Sequence, residues 1–85
     1  MIANKIPYGP VFKTVNVTIA NGGTYTTLYE NPSLWQLVSF IQVNSNASVC
    51  RNLRSHPRSD LGTYTIQCDS VTAGDAVIQC LLMKI

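Results

Sequence analysis

Charge is what this sequence has least of. Lys, Arg, Asp and Glu make up 12% of its 85 residues, about half the share usual in a soluble domain. So uncharged a surface gives little of the repulsion that keeps exposed strand edges apart. Six basic against four acidic residues leave a net charge of +2. That balance is too mild to point to nucleic acid, whose binders gather a broad basic surface. Long apolar runs are also missing: none approaches the roughly 20 residues that a membrane-crossing helix needs. Between Met1 and Pro10 there is no apolar stretch of signal-peptide length, so the expectation is synthesis in a cytosol without a signal peptide. Cysteine is scarce and odd in number, with Cys50, Cys68 and Cys80 forming no Cys-x-x-Cys pair. This argues against a zinc site and fits a reducing compartment, with a disulfide open only outside the cell.

Catalytic groups are few. One histidine, His56, stands next to Pro57 in a polar stretch, with nothing evident to orient it as a base. Glu30, Asp60, Asp69 and Asp75 lie in turn-like segments. Asp69 and Asp75 flank one turn and could hold calcium, but capping of their own backbone explains them better. No enzyme activity, metal or cofactor is expected.

The sequence is rich in strand signals with turn signals between them, and no helical period of three to four runs through it. Residues 1–10 hold Pro7, Gly9 and Pro10 and read as an irregular arm. Val11 to Ala20 alternates Val15, Val17 and Ile19 with Thr14, Asn16 and Thr18. Asn21-Gly22-Gly23 is a turn, since glycine takes positive φ cheaply. Thr24 to Glu30 is Thr- and Tyr-rich and strand-like, and Pro32 then breaks the ladder. From Leu34 to Val43, Trp35, Leu37, Ile41 and Val43 share one expected face and Val38 and Phe40 the other, which reads as a central strand. A short strand is expected from Val49 to about Leu53, an exposed loop from Arg54 to Leu61, a strand from Gly62 to Cys68 and a turn from Asp69 to Asp75. About six strands at roughly ten-residue spacing predict an all-β single domain, a small antiparallel sandwich or barrel with no substantial helix.

The last segment, Ala76 to Ile85, is apolar on both parities. Val77, Leu81, Met83 and Ile85 alternate with Ala76, Ile78, Cys80 and Leu82, and only Gln79 and Lys84 interrupt. A strand with one wet face alternates apolar and polar, whereas one covered on both faces reads as a continuous apolar run. A chain of this size has one thin core and little stability to spare. Self-association or docking on a larger assembly is therefore expected, with Trp35, Ile78, Leu82, Met83 and Ile85 as burial anchors. Arg51, Arg54, His56 and Arg58 form a basic group that could meet an acidic partner at the rim, because Arg presents a planar fork to carboxylate or phosphate. The alternative is a solvated loop with Asp60 as a partner.

Two segments resemble small virion proteins. Thr27-Leu28-Tyr29-Glu30-Asn31-Pro32, followed by Trp35-Gln36-Leu37-Val38-Ser39-Phe40-Ile41-Gln42-Val43-Asn44, looks like a strand, Tyr-x-x-Pro turn and strand found in tailed-phage structural proteins. Val71-Thr72-Ala73-Gly74-Asp75-Ala76-Val77 resembles the Ala-Gly-Asp turn before the last strand of many jelly-roll heads. The resemblance implies a bacteriophage virion protein made in the host cytoplasm: a capsid decoration protein, or a small fibre or tail component. It implies a homotrimer bound to the major capsid protein or another virion protein, with no membrane partner. Two alternatives remain open: a carbohydrate- or receptor-binding module with Tyr25, Tyr29 or Tyr64 as its stacking platform, and a single-strand nucleic-acid binder.

Overall fold

A computed structural model describes residues 9–44 and 46–85. It is all-β, as expected, with eight strands in place of about six: β1 Phe12–Ile19, β2 Tyr25–Leu28, β3 Trp35–Gln42, β4 Val49–Arg51, β5 Arg54–Arg58, β6 Thr63–Gln67, β7 Ser70–Thr72 and β8 Ala76–Lys84. They form three antiparallel sheets, ordered β1-β8-β3, β2-β6-β5 and β4-β7. The irregular arm expected over residues 1–10 lies almost wholly outside the described residues, and Gly9 and Pro10 are exposed with no regular structure.

The apolar closing segment is the central strand of its sheet, hydrogen-bonded on both sides. β8 buries Ala76, Ile78, Cys80 and Leu82 completely. These residues meet Ile19, Leu28, Tyr64, Ile66, Cys68 and Val71 in the one core cluster among the described residues, so the β2-β6-β5 sheet closes the inner face. β1 and β2 enter different sheets although only Ala20 to Thr24 separates them. The reason is their turn, closed by the Gly23 N–H donating to Ala20 O at 2.7 Å, with Gly22 at φ 80°. That is type II geometry, which splays the flanking strands instead of pairing them.

Two expectations about strands are corrected. β3 is an edge strand and not a central one, and its register to β8 shifts between Leu37 and Ser39. The extra residue, Val38, reverses the side-chain alternation beyond it. Phe40 therefore joins Trp35 and Leu37 on the inner face, while Ile41 turns outward and is 57% exposed. Second, Arg54 to Arg58 is strand β5 and not loop. It lies at a sheet edge, the one place in a ladder that tolerates a residue without an N–H such as Pro57. Likewise Ser70–Thr72, expected within a turn, pairs with β4.

Polar side chains fasten the two ends of the sandwich. The Tyr64 hydroxyl donates to Trp35 O at 2.7 Å and accepts from the Leu37 N–H at 3.2 Å. It thereby ties the second sheet to the open side of β3 just before the bulge. At the other end Ala73 and Gly74 both take positive φ, 66° and 116°. Their turn is clamped by Ser48 Oγ donating to Gly74 O at 2.8 Å, Asn46 Nδ2 donating to Asp75 O at 3.1 Å and the Asn21 N–H donating to Asp75 Oδ1 at 2.8 Å. The side chain of Gln42 bridges β3 to β4 by donating to Ser48 O and accepting from the Cys50 N–H.

Candidate docking face

Among the described residues, the inner face of the β1-β8-β3 sheet is closed and no strand covers the outer face. The strand registers place Phe12, Thr14, Asn16 and Thr18 of β1 beside Met83, Leu81, Gln79 and Val77 of β8. On the other side of β8 lie Gln36, Ser39 and Ile41 of β3, with Val43 following through its N–H bond to Val77 O at 2.8 Å. None of these residues is charged. Phe12, Val38, Ile41 and Val43 are exposed, and Val77, Leu81 and Met83 are half-buried because neighbouring strands shield a central one. Strand rise and spacing give this face roughly 25 by 14 Å. Its apolar residues share that area with Thr14, Asn16, Thr18, Gln36, Ser39 and Gln79, so the face is uncharged and mixed rather than uniformly apolar.

The residues expected as interface anchors divide between the two faces. Ile78 and Leu82 are 0% exposed, held in the chain's own core with no surface left for a partner. That assignment is corrected: both parities of the last segment are apolar, and the side that the β2-β6-β5 sheet covers decides which one faces inward. Met83 shares the outer parity and is half-buried, and Ile85, at the chain end, is 70% exposed. Trp35 packs against the inner core. Lys13 Nζ sits 4.1 Å and Lys84 Nζ 5.3 Å from its ring centroid, and Lys13 Nζ also pairs with Glu30 Oε1 at 2.8 Å. Its ring is thus engaged by its own chain, and Trp35 sits half-buried at the margin of the core. Phe12, Val38, Ile41, Val43, Val77 and Leu81 line the open face and were not among the anchors expected from the sequence.

The basic group is spread over β4 and β5, outside this sheet. The Arg54 guanidinium reaches Asp69 Oδ1 at 3.0 Å and Asn52 O at 2.9 Å. Arg58 forks onto both carboxylate oxygens of Asp60, at 3.2 and 3.0 Å, which raises the guanidinium pKa and holds the Asp60 carboxyl below its usual range. Arg51 is exposed and has no ion-pair partner among the described residues. His56 is exposed on β5. Asp75, the remaining carboxylate, caps the Asn21 N–H, so turn capping accounts for it.

The cysteines are free thiols. Cys68 and Cys80 are buried, and burial pushes the Cys80 thiol up to about 11. Cys50 is pushed up to about 11 as well, first by burial and then by the neighbouring Cys68 thiol. Thiols held this far above neutrality are poor nucleophiles and poor ligands. Of the tyrosines considered as a platform, Tyr64 is 7% exposed with its hydroxyl occupied, which removes it. Tyr25 and Tyr29 are 65% and 81% exposed. Compared with protein-family models, characterised proteins and solved structures, the chain matches none.

Proposed function

We propose that this chain is a non-enzymatic structural protein that works by docking, and, following the resemblance described above, a virion component such as a phage capsid decoration protein. The observation that carries the docking role is the uncharged outer face of the β1-β8-β3 sheet, where exposed or half-buried Phe12, Ile41, Val43, Val77, Leu81 and Met83 alternate with uncharged polar residues. Covering it removes apolar surface from water and strands no charge. Its partners would be the major capsid protein or another virion protein, and copies of the chain itself. A protein that binds only the assembled lattice stabilises it in proportion to affinity and occupancy. Met83 and Ile85 would lie at the contact, and Arg51, the arginine not already engaged, at its rim. The trimer implied by the resemblance rests on that resemblance alone.

The virion role is tested by density-gradient purification of particles from cells producing the chain in its natural genomic context, followed by quantitative mass spectrometry. The chain should band with the particles in a fixed ratio to the shell protein. A chain left at the top of the gradient contradicts the proposal.

One observation favours a second reading, a glycan-binding module. Tyr25 and Tyr29 share a parity on and just beyond β2 and both are exposed, about 13 Å apart at strand rise. Binding on a glycan array that disappears in Tyr29→Ala would select this reading. The single-strand nucleic-acid alternative loses support, since Arg54 and Arg58 are engaged by the chain's own carboxylates.

A further inference from the structure

The two edges of the β1-β8-β3 sheet are built differently. Among the described residues, each of β1 and β3 has one side with no strand against it. On β3 that side is interrupted by the Val38 bulge and by the Tyr64 hydroxyl on Trp35 O and the Leu37 N–H. On β1 the register to β8 runs without a shift from Phe12 to Ile19. The Lys84 N–H bonds Val11 O at 2.8 Å. Because bonding alternates along an antiparallel ladder, Lys13, Val15 and Val17 then point their main-chain groups at β8, and Thr14, Asn16 and Thr18 present theirs to the open side. Natural edges are blocked by charge, proline or a bulge. From Thr14 to Thr18 there is none of these.

Those five residues, Thr14-Val15-Asn16-Val17-Thr18, read the same in both directions. Antiparallel pairing of a strand with a copy of itself reverses one sequence against the other, so a palindrome sets matching side chains opposite each other. We propose that a second copy of this chain pairs antiparallel with the β1 edge about a twofold axis through Asn16. Asn16 then opposes the second copy's Asn16, Thr14 opposes its Thr18 on the outer face, and Val15 opposes its Val17 on the inner face. The alternation is in phase with this centre: three hydrogen-bonded residue pairs exchanging two bonds each give about six main-chain bonds. Val15 and Val17 are only half-buried in the single chain, and each gains an apolar neighbour across the axis. Thr–Thr and paired amide contacts across strands are favourable in themselves. Lys13 does not oppose the approach, since its ammonium is drawn inward to Glu30 and Trp35.

Pairing joins two three-stranded sheets into one of six strands and doubles the open outer face to roughly 25 by 29 Å. That is close to the area per partner of a standard protein interface, which the single face falls well short of. The occupant of the edge is thus a second copy, and the composite face is what it presents to anything larger. This pairing is a different surface from the docking face, and either can hold without the other.

The test is the solution mass of the full chain by light scattering and sedimentation equilibrium, from micromolar to millimolar. The mass should climb from 9.3 kDa toward twice that value. Asn16 is exposed on the outer face, so Asn16→Lys should keep the circular-dichroism spectrum of the fold and weaken the dimer at least tenfold, by setting like charges opposite each other. Asn16→Glu should do the same, and an equimolar mixture of the two should restore the dimer. Should either variant lose the fold, Thr14→Lys with Thr18→Glu, self-complementary under the twofold, should dimerise where Thr14→Lys with Thr18→Lys does not. A chain that stays at 9.3 kDa throughout overturns the proposal, as does a mixture that fails to restore the dimer. A dimer indifferent to every charge placed on β1 also overturns it, and assigns self-association to the outer face instead.

Discussion

Ala76, Ile78, Cys80 and Leu82 on one face of β8 are closed off by the chain itself, whereas Val77, Leu81 and Met83 on the other face stay half-exposed. The residue types are nearly the same, so composition does not explain the difference. What separates the faces is cover: the described residues furnish one opposing sheet, and it lies on the side that Leu28, Tyr64 and Ile66 reach. Fully burying one Leu or Ile is worth about 1.5–3 kcal/mol, and the outer residues leave part of that gain unrealised. The closed face makes the fold, and the open face is where a partner has something to add.

Adjacent leucines give the sharpest contrast. Leu82→Ala should destabilise by about 2–5 kcal/mol in urea unfolding, because it opens a cavity in a thin core. Leu81→Ala, one residue away on the open side, should cost about 1 kcal/mol or less in the isolated chain, in line with its smaller loss of buried area. Equal losses would erase the distinction between the faces. Tyr64→Phe comes next: it leaves Trp35 O and the Leu37 N–H without their shared partner, and should cost about 1–3 kcal/mol by the same measurement.

A smaller effect belongs to the thiols of the closed side. Cys80 and Cys50 are raised from 9.0 to about 11 in the fold, so the unfolded chain loses these protons first as pH rises. The stabilisation they contribute is complete below pH 9 and lost progressively between pH 9 and 11. Urea midpoints across that window should fall more steeply for the wild type than for Cys50→Ala with Cys80→Ala, and parallel slopes would contradict the assignment. The smallest effect is expected at the surface pair. Arg58→Ala should leave the urea midpoint where it is, since an exposed ion pair is screened by solvent.

Much of the fold was legible because pattern and period agreed. The continuous apolar run of Ala76 to Ile85 marked the strand that proves central, and the alternation of Val15, Val17 and Ile19 marked the inward side of β1. The bulge was not legible: nothing in Leu37-Val38-Ser39 differs from an ordinary strand, yet one extra residue moved Phe40 inward and Ile41 outward. β5 was missed because Arg, His and Pro look like loop, and only its place at a sheet edge permits them. Of the face proposed for docking, only the outline could be read from the sequence. An excess of apolar strand surface could be read from the sequence, but Ile78 and Leu82 were assigned to the wrong side of it. Both parities of β8 satisfy the same apolar pattern, and the choice between them is made by β6, far away in the chain.

Ile41→Lys is the most direct measurement of the central claim, that the open face is a docking surface and not a defect of the core. The substitution sets one charge on the outer face at a residue 57% exposed. The account predicts a urea midpoint within error of wild type together with loss of the chain from gradient-purified particles. Full occupancy of the particles by the folded variant would contradict it.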